Sequence, residues 1–227
     1  MPTRTPTPIP PPTYNPPQYT PPTYYPPTYY PPEYYQPQYY QPTYYAWDYA
    51  WGYCHCFCPI ILDLAGSSVL TTSFDHGVVF DFEGDGDPVK SAWAAPNSGL
   101  LVRDLNGNGR IDNGSELFGN YTILKNGALA GNGFEALAEF DLNGDGLVDR
   151  AEAKAAGILI WIDANTNGKA DPGELLTFEQ ADVFAIETNY KVTSQFDKNH
   201  NLLKWIGTFI RSDGSKAPAI DVIFISE

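Results

Sequence analysis

The chain has 227 residues and a formal net charge of −14, a length consistent with one sizeable domain plus an appendage. Residues 1–58 carry a net charge of −1, which leaves −13 for residues 59–227. This acidity argues against nucleic acid as a partner, because phosphate binding needs a basic surface, and the lack of a run of about 18 apolar residues argues against a membrane span.

An arm of seven five-residue repeats, rich in proline and tyrosine, occupies residues 11–45. Proline fixes φ and removes a backbone donor, so the repeats favour extended polyproline II over helix or strand. Three interpretations are open. The arm is an extended spacer, a sticky arm whose tyrosines contact neighbouring chains, or a Pro-Pro-x-Tyr ligand for WW-type domains.

The three cysteines, Cys54, Cys56 and Cys58, lie together at the end of this arm. Thiolates with the intervening His55 suit zinc or a softer metal, but structural zinc sites usually bring ligand pairs from separate places. An odd cysteine count leaves at least one thiol over, which favours interchain disulfides, and inert linker residues are the remaining alternative. We predict a domain boundary here, with residues 1–58 as the Pro/Tyr-rich arm with a Cys-rich end and residues 59–227 as a folded module.

Within the module, apolar segments alternate with turn clusters. β-Branched and aromatic residues predict buried strands at residues 77–82 and 158–162. Apolar spacing and good helix formers predict short helices at residues 134–140, 150–156 and 175–180. Trp93 and Trp205 are expected to be ordinary core residues.

Four acidic segments between these elements follow the pattern of an EF-hand calcium loop, wholly or in part. In that pattern, oxygen ligands fall at positions 1, 3, 5, 7, 9 and 12, and glycine at position 6 allows a sharp turn. The segments are loop A (residues 81–87), loop B (residues 104–116), loop C (residues 141–152) and loop D (residues 163–174). Hard oxygen ligands of this kind suit Ca²⁺, and the alternative for such Asp/Asn/Gly runs is a solvated turn.

Loops C and D are complete copies of the pattern. The ligands predicted in loop C are Asp141, Asn143, Asp145, the carbonyl of Leu147, Asp149 and Glu152. The ligands predicted in loop D are Asp163, Asn165, Asn167, the carbonyl of Lys169, Asp171 and Glu174.

Loops A and B depart from the pattern. Loop B provides Asp104, Asn106, Asn108, the carbonyl of Arg110, Asp112 and Glu116. Its position 12 is Ser115, and the acid comes one residue late, so the start of this loop is predicted more firmly than Glu116. Loop A provides Asp81, Glu83 and Asp85 but has no acid at position 12. Two to four bound Ca²⁺ ions are therefore predicted.

Three apolar segments near the C-terminus, at residues 184–193, 203–211 and 219–226, predict an antiparallel meander with a hairpin turn at residues 197–201. The predicted fold class is α+β. Short helices and strands are joined by EF-hand-like calcium loops, followed by the C-terminal antiparallel meander and preceded by the extended arm.

The run Gly99–Gly119, together with Gly133–Gly146, Ile160–Asp163 and Gly173–Phe178, resembles the self-processing module of the iron-regulated RTX-type secreted proteins of Gram-negative bacteria. The resemblance covers roughly Pro59 to the C-terminus and leaves out the arm. It implies a calcium-folded extracellular module, usually exported by a type I route.

The resemblance also implies a chemistry for the self-processing members. Calcium triggers cleavage of an Asp-Pro bond at the N-terminal edge of the module, where the Asp carboxylate attacks its own carbonyl and forms a cyclic anhydride that a lysine amine captures. The matching bond here is Cys58–Pro59, and a cysteine thiol would need a strained four-membered ring. The first acidic loop of the family is also eroded, since Ala65 and Ser67 follow Asp63. We predict no cleavage at this bond and no enzymatic activity.

These observations favour an extracellular, non-catalytic calcium-binding structural or adhesive protein. Its module folds on Ca²⁺, and its arm mediates assembly or attachment through self-association or an extracellular surface or matrix partner. The alternatives are calcium-triggered self-processing by Asp-Pro autocleavage and cross-linking, or an intracellular adaptor whose repeats recruit small domains. The N-terminus has no apolar core of a Sec signal, so we expect a type I-like route to the extracellular space or cell surface.

Overall fold

A computed structural model describes residues 57–66 and 70–227 of the chain. The strands in these residues are β1 (Ile60–Leu62), β2 (Val78–Phe80), β3 (Val89–Ser91), β4 (Gly99–Arg103), β5 (Leu147–Asp149), β6 (Ile158–Trp161), β7 (Leu175–Leu176), β8 (Val183–Glu187), β9 (Lys191–Phe196), β10 (Leu202–Arg211) and β11 (Lys216–Ile223). The helices are α1 (Gly133–Ala138) and α2 (Arg150–Ala156), and short 3₁₀ turns cover Phe74–His76 and Gly114–Glu116. The predicted arm and Cys54 and Cys56 lie outside the described residues.

The predicted α+β class is wrong, because the described part of the chain is mostly β. Helices α1 and α2 have six and seven residues, and residues 175–180, predicted as a helix, contain β7 and a turn. Loop C lies between α1 and α2, but both helices are short, and β5 within the loop pairs with β8. Segments this short take their backbone partners from neighbouring strands, and that pairing overrides local propensity. No helix in the described residues has the length and apolarity needed to cross a membrane.

One antiparallel sheet contains nine of the described strands, in the order β5-β8-β10-β11-β1-β4-β6-β7, with β9 added beside the first half of β10. Strands β2 and β3 form a separate hairpin. The segments predicted as a C-terminal meander are part of this large sheet. The predicted first segment divides between β8 and β9, and β10 pairs with β8, β9 and β11.

Both faces of the central strands are buried, which explains why these strands read as continuous apolar runs. Successive side chains of a strand point to opposite faces. In β1, Ile60 and Leu62 therefore join a core that contains Phe134 of α1, whereas Ile61 joins a second core that contains Trp93 and the β2–β3 hairpin. The sheet thus separates a helical layer from an aromatic layer.

Helix α2 is positioned by residues that also belong to loop C. The Asp149 side chain accepts the backbone N–H groups of Ala151 and Glu152, and the Glu152 side chain accepts the N–H of Asp149, so the two form a capping box. The helix ends at Gly157, whose φ of +71° is favourable for glycine. The end of the loop and the start of the helix are therefore one structural unit.

Truncation of a side chain in the central strand β4 tests this architecture. Leu101 is fully buried between β1 and β6, whereas Leu129 is 58% exposed. Leu101→Ala is expected to lower the free energy of unfolding by about 2–5 kcal/mol, because it removes buried methyl groups and leaves a cavity. Leu129→Ala is the matched control and is expected to change it by less than about 0.5 kcal/mol. Urea unfolding at constant calcium measures both, and equal effects would contradict the sheet order given above.

Candidate metal centres

Loop C turns around the carboxylate of its first residue. Asp141 Oδ1 accepts the backbone N–H groups of Gly144 (2.8 Å) and Asp145 (3.2 Å), and its Oδ2 accepts the N–H of Gly146 (2.9 Å). The two glycines have φ values of +74° and +86°, a region that other residues rarely adopt. The local sequence therefore determines this reversal, because the glycines permit it and the aspartate satisfies its backbone donors.

The last acid of loop C returns to the beginning of the loop. Glu152 is 8% exposed, and its Oε1 accepts the N–H groups of Leu142 (2.8 Å) and Asn143 (3.3 Å). Its Oε2 accepts the N–H of Asp149 at 3.1 Å. The structure thus brings the predicted ligands at positions 1 and 12 into one closed loop.

Loop D repeats this geometry between β6 and β7. Asp163 accepts the N–H groups of Asn167 (3.0 Å) and Gly168 (2.8 Å), and Glu174 accepts those of Ala164 and Asp171, both at 3.0 Å. Burial raises the pKa of Asp163, although these hydrogen bonds oppose the shift. Desolvation disfavours its charged form, so a cation beside this carboxylate would offset that cost.

The side-chain amides of loop D donate hydrogen bonds to the acid at its ninth position. Asn165 and Asn167 each donate an Nδ2–H to Asp171 Oδ2 at 2.9 Å, and these two hydrogen bonds lower the pKa of Asp171. Asn106 and Asn108 make the equivalent hydrogen bonds to Asp112 in loop B. In both loops the residues predicted at positions 3, 5 and 9 therefore lie together.

Loop B closes through Glu116, although this acid comes one residue late. Glu116 is 3% exposed, and its two carboxylate oxygens accept the N–H groups of Leu105 (2.9 Å) and Asp112 (2.7 Å). The extra residue is absorbed by the 3₁₀ turn Gly114–Glu116, which is capped by Asn113. Ser115 instead donates its hydroxyl to Asn113 at 2.7 Å. Glu116 therefore holds the place that Glu152 and Glu174 hold in the complete loops.

Loop A keeps the first half of the pattern. Asp81 accepts the N–H groups of Gly84 (2.7 Å) and Gly86 (3.0 Å), as the first aspartate does elsewhere. Glu83 accepts the hydroxyl of Tyr121 at 3.0 Å, and Asp85 accepts the N–H of Asp87. Without an acid at position 12, this loop has fewer ligands to offer than the other three.

The oxygen ligands of loops B, C and D fit a hard cation. In residues 57–66 and 70–227 no three His, Cys, Asp or Glu side chains form a metal-binding cluster, so any site there has to use asparagine and carbonyl oxygens as well. Loops B and D supply such oxygens at positions 3, 5 and 7, and loop C supplies them at positions 3 and 7. A carboxylate oxygen that accepts one N–H keeps further acceptor capacity, and a ligand set of oxygens alone favours Ca²⁺ over softer metals.

Two indoles contact loop D, and the sequence indicated only Trp161, which lies two residues before Asp163. Trp93 is fully buried as expected, but it is not an ordinary core residue, because its Nε1–H donates to Asp163 Oδ2 at 2.8 Å. Trp161 donates its Nε1–H to Glu174 Oε2 at 3.2 Å. Seventy residues separate Trp93 from Asp163, so no local motif signals this contact.

The N-terminal edge of the module contains a buried carboxyl group. Asp221 of β11 accepts the N–H of Gly133 at 2.5 Å through Oδ2, while its Oδ1 has no hydrogen-bond partner among the described atoms. Burial raises the pKa of Asp221 well above its ordinary value, and the Gly133 N–H and the Cys58 thiol only partly oppose this shift. Cys58 is 2% exposed. The predicted interchain disulfides stay a prediction, and one formed through Cys58 would require this side chain to become exposed.

Comparison with known proteins places this geometry in context. The SPM domain family model matches residues 60–225. The iron-regulated protein FrpA of Neisseria meningitidis serogroup C is 36% identical to this chain over 178 residues. That alignment covers 78% of this chain but 16% of the length of FrpA. The resemblance to iron-regulated RTX-type modules is thereby confirmed for residues 60–225.

The role of Glu116 is testable by comparison with its neighbour. Glu116→Gln removes the charge and the two-oxygen ligation, so the calcium affinity of loop B is expected to fall about tenfold or more. Ser115→Ala is expected to leave this affinity within about twofold, because Ser115 bonds to Asn113 and not to the loop acids. Calorimetric calcium titration of the full chain measures both variants, with Glu152→Gln as the reference for loss of a closing acid. A larger effect from Ser115→Ala would show that loop B closes differently.

The buried carboxyl of Asp221 predicts a specific pH dependence of stability. A carboxyl whose pKa is raised on folding contributes stability that is fully present below its unfolded pKa of about 3.9 and is lost as the pH rises through the raised value. Asp221→Asn resembles the protonated form and keeps an acceptor for the Gly133 N–H. The variant is therefore expected to gain stability relative to the parent protein between about pH 5 and about pH 8 in urea unfolding at saturating calcium. A constant difference across this range would contradict the assignment.

Proposed function

The chain belongs to the SPM domain family, and on that premise we propose that its module is a non-catalytic calcium-binding unit of an extracellular structural or adhesive protein. The observation that carries the proposal is the closure of loops B, C and D. In each loop the first aspartate and the last glutamate are both held by backbone N–H groups of the same loop. Once the module is folded, these hydrogen bonds orient the oxygen ligands of each loop, which lowers the cost of ordering them around a cation.

The charge of the module supports calcium-dependent folding. Residues 59–227 carry a net charge of −13, and carboxylates gathered in loops repel one another until a cation neutralises them. Binding free energy therefore becomes folding free energy. Extracellular calcium modules function with dissociation constants of about 10⁻⁴–10⁻³ M. The chain would then stay loose at low cytosolic calcium and fold after export.

The proposed lack of catalysis rests on residue 58. An aspartate at this position could close a five-membered ring on its own carbonyl, whereas the Cys58 thiol would need a strained four-membered ring. The described surroundings are also closely packed, since Phe57 and Cys58 are both buried. Phe57 stacks on Phe82 with ring centroids 4.1 Å apart, and the Cys58 N–H donates to Asn120 Oδ1 at 3.3 Å. This packing leaves the bond between Cys58 and Pro59 little freedom to reach a strained geometry.

The arm completes the proposed function. Its repeats combine proline, which keeps the chain extended, with tyrosine, which offers a large contact area and a polar tip. We assign it to assembly or attachment, through other copies of the chain or an extracellular surface or matrix. Calcium-triggered self-processing stays the alternative function, because the chain belongs to the SPM domain family and retains other Asp-Pro bonds at Asp87–Pro88 and Asp171–Pro172.

Native mass spectrometry of the full chain, first in EDTA and then in millimolar calcium, tests the proposal. The expected result is an intact chain that gains two to four calcium ions, the number that loops A to D allow. Fragments that end at Cys58, Asp87 or Asp171 would instead establish self-processing.

Thermal unfolding under the same two conditions provides the control for folding. A cooperative transition is expected in calcium and is expected to disappear in EDTA. Magnesium in place of calcium is the matched ion control, because it prefers octahedral sites and dehydrates reluctantly. A melt that is the same in EDTA and in calcium would exclude a calcium-folded module.

A further inference from the structure

Loop D differs from loops B and C in how its acids are held. In loop C the carboxylates of Asp141 and Glu152 accept backbone N–H groups of the loop. In loop D, Asp163 also accepts the Nε1–H of Trp93, and Glu174 accepts that of Trp161. Both ends of this loop are therefore joined to indoles that lie outside it. An indole N–H can only donate, so each of these contacts favours the charged, acceptor form of its carboxylate.

The two indoles belong to a continuous aromatic cluster in the second core. Its members are Phe57, Phe80, Phe82, Trp93, Trp161 and Phe224. Trp93 is the central ring, with centroid distances of 5.5 Å to Trp161, 5.7 Å to Phe82 and 6.0 Å to Phe224. Phe82 in turn stacks on Phe57. A path of ring contacts thus runs from Asp163 to the residue that precedes Cys58.

A second connection runs through the β2–β3 hairpin. Gly168 of loop D lies so close to β2 that a Cβ at this position would stand 3.1 Å from Val78 Cβ. On the other side, Gly114 of loop B donates its N–H to Asp81 O at 2.8 Å, and a Cβ on Gly114 would stand 1.9 Å from Phe82 O. The hairpin and the start of loop A are therefore packed between loops B and D without space for a further methyl group.

Loop C lies on a different part of the sheet. Its strand β5 is an edge strand, at the opposite end of the sheet order from β6 and β7. The carbonyl of Gly146 accepts the N–H (3.0 Å) and the hydroxyl (3.1 Å) of Thr188, which follows β8. Loop C thus contacts β8 and α2, whereas loop D contacts the aromatic cluster and the hairpin.

From these contacts we propose that, in the folded module, Trp93 is a positioning residue for a cation in loop D, and that it couples the occupancy of loop D to loop B while loop C binds independently. The inference rests on the proposed calcium binding and deepens it. A cation in loop D fixes Asp163, and Asp163 fixes the Trp93 ring against Phe82. Phe82 lies against Gly114, whose N–H is held by Asp81, so an ordered hairpin favours the closed form of loop B. Such coupling is reciprocal, so calcium in loop B raises the affinity of loop D by the same factor.

The glycine at position 6 of each loop supplies a site-specific signal. The N–H groups of Gly109, Gly146 and Gly168 each donate to the first aspartate of loops B, C and D, respectively. Their amide resonances in a ¹⁵N-labelled full chain therefore report calcium binding at each loop separately. If none of the three resonances responds to calcium in the parent protein, calcium binding itself fails, which is distinct from failure of the coupling.

Trp93→Phe is the decisive variant, because it keeps an aromatic ring and removes the N–H donor. Loss of a group that orients a metal ligand typically costs about 10–100-fold in affinity. We expect the calcium midpoint of Gly168 to rise by about tenfold or more, that of Gly109 to rise by a smaller factor of about two to five, and that of Gly146 to stay within about 1.5-fold. Trp205→Phe is the matched control and is expected to leave all three midpoints unchanged, since Trp205 packs outside the aromatic cluster.

Trp161→Phe removes the donor to Glu174 and provides an independent test if Trp93→Phe fails to fold. It is expected to raise the Gly168 midpoint without a comparable change at Gly146. An unchanged Gly168 midpoint in a folded Trp93→Phe variant would overturn the positioning role. A Gly109 midpoint that does not move with Gly168, or equal shifts at all three glycines, would overturn the coupling.

Discussion

This structure depends on the backbone hydrogen bonds that the carboxylate of the first aspartate accepts in each loop. In loops A, B and C it accepts the N–H groups of two glycines with positive φ. In loop D it accepts the N–H of Gly168, whereas Thr166, with a φ of +55°, donates its N–H to the backbone carbonyl of Asp163. A short reversal thereby satisfies its own backbone donors, so β4 and β6 can end directly in a loop. The same carboxylates concentrate negative charge. Closure of the loops and the proposed binding of a cation therefore depend on the same atoms.

The large sheet joins these local reversals into one fold. Because both faces of β6 are buried, the loop that follows this strand begins in the protein interior. This is why the first aspartate of loop D is 2% exposed, while Asn165 and Lys169 are solvent-exposed or nearly so. Burial makes the charge of Asp163 costly, and the Trp93 N–H and the proposed cation both reduce that cost.

At the N-terminal edge of the module, this chain differs from the self-processing members that it resembles. Cys58 stands where the self-processing members are expected to have aspartate, and the buried carboxyl of Asp221 lies beside it. Packing around Phe57 joins this edge to the aromatic cluster and so to loop D. We propose that the cysteine at residue 58 prevents bond cleavage in a module that still folds on calcium.

The sequence by itself determined the local parts of this protein. The first aspartates, the turn glycines and the closing acids of loops C and D were predictable, because their hydrogen bonds join residues at most ten positions apart. Tertiary structure alone decided the rest. Six of the nine strands in the large sheet have only two to five residues and carry too little periodicity to reveal it, so the predicted α+β class was wrong. The contacts of Trp93 with Asp163 and of Asp221 with Gly133 span 70 and 88 residues. Only the packing of the whole sheet brings such partners together.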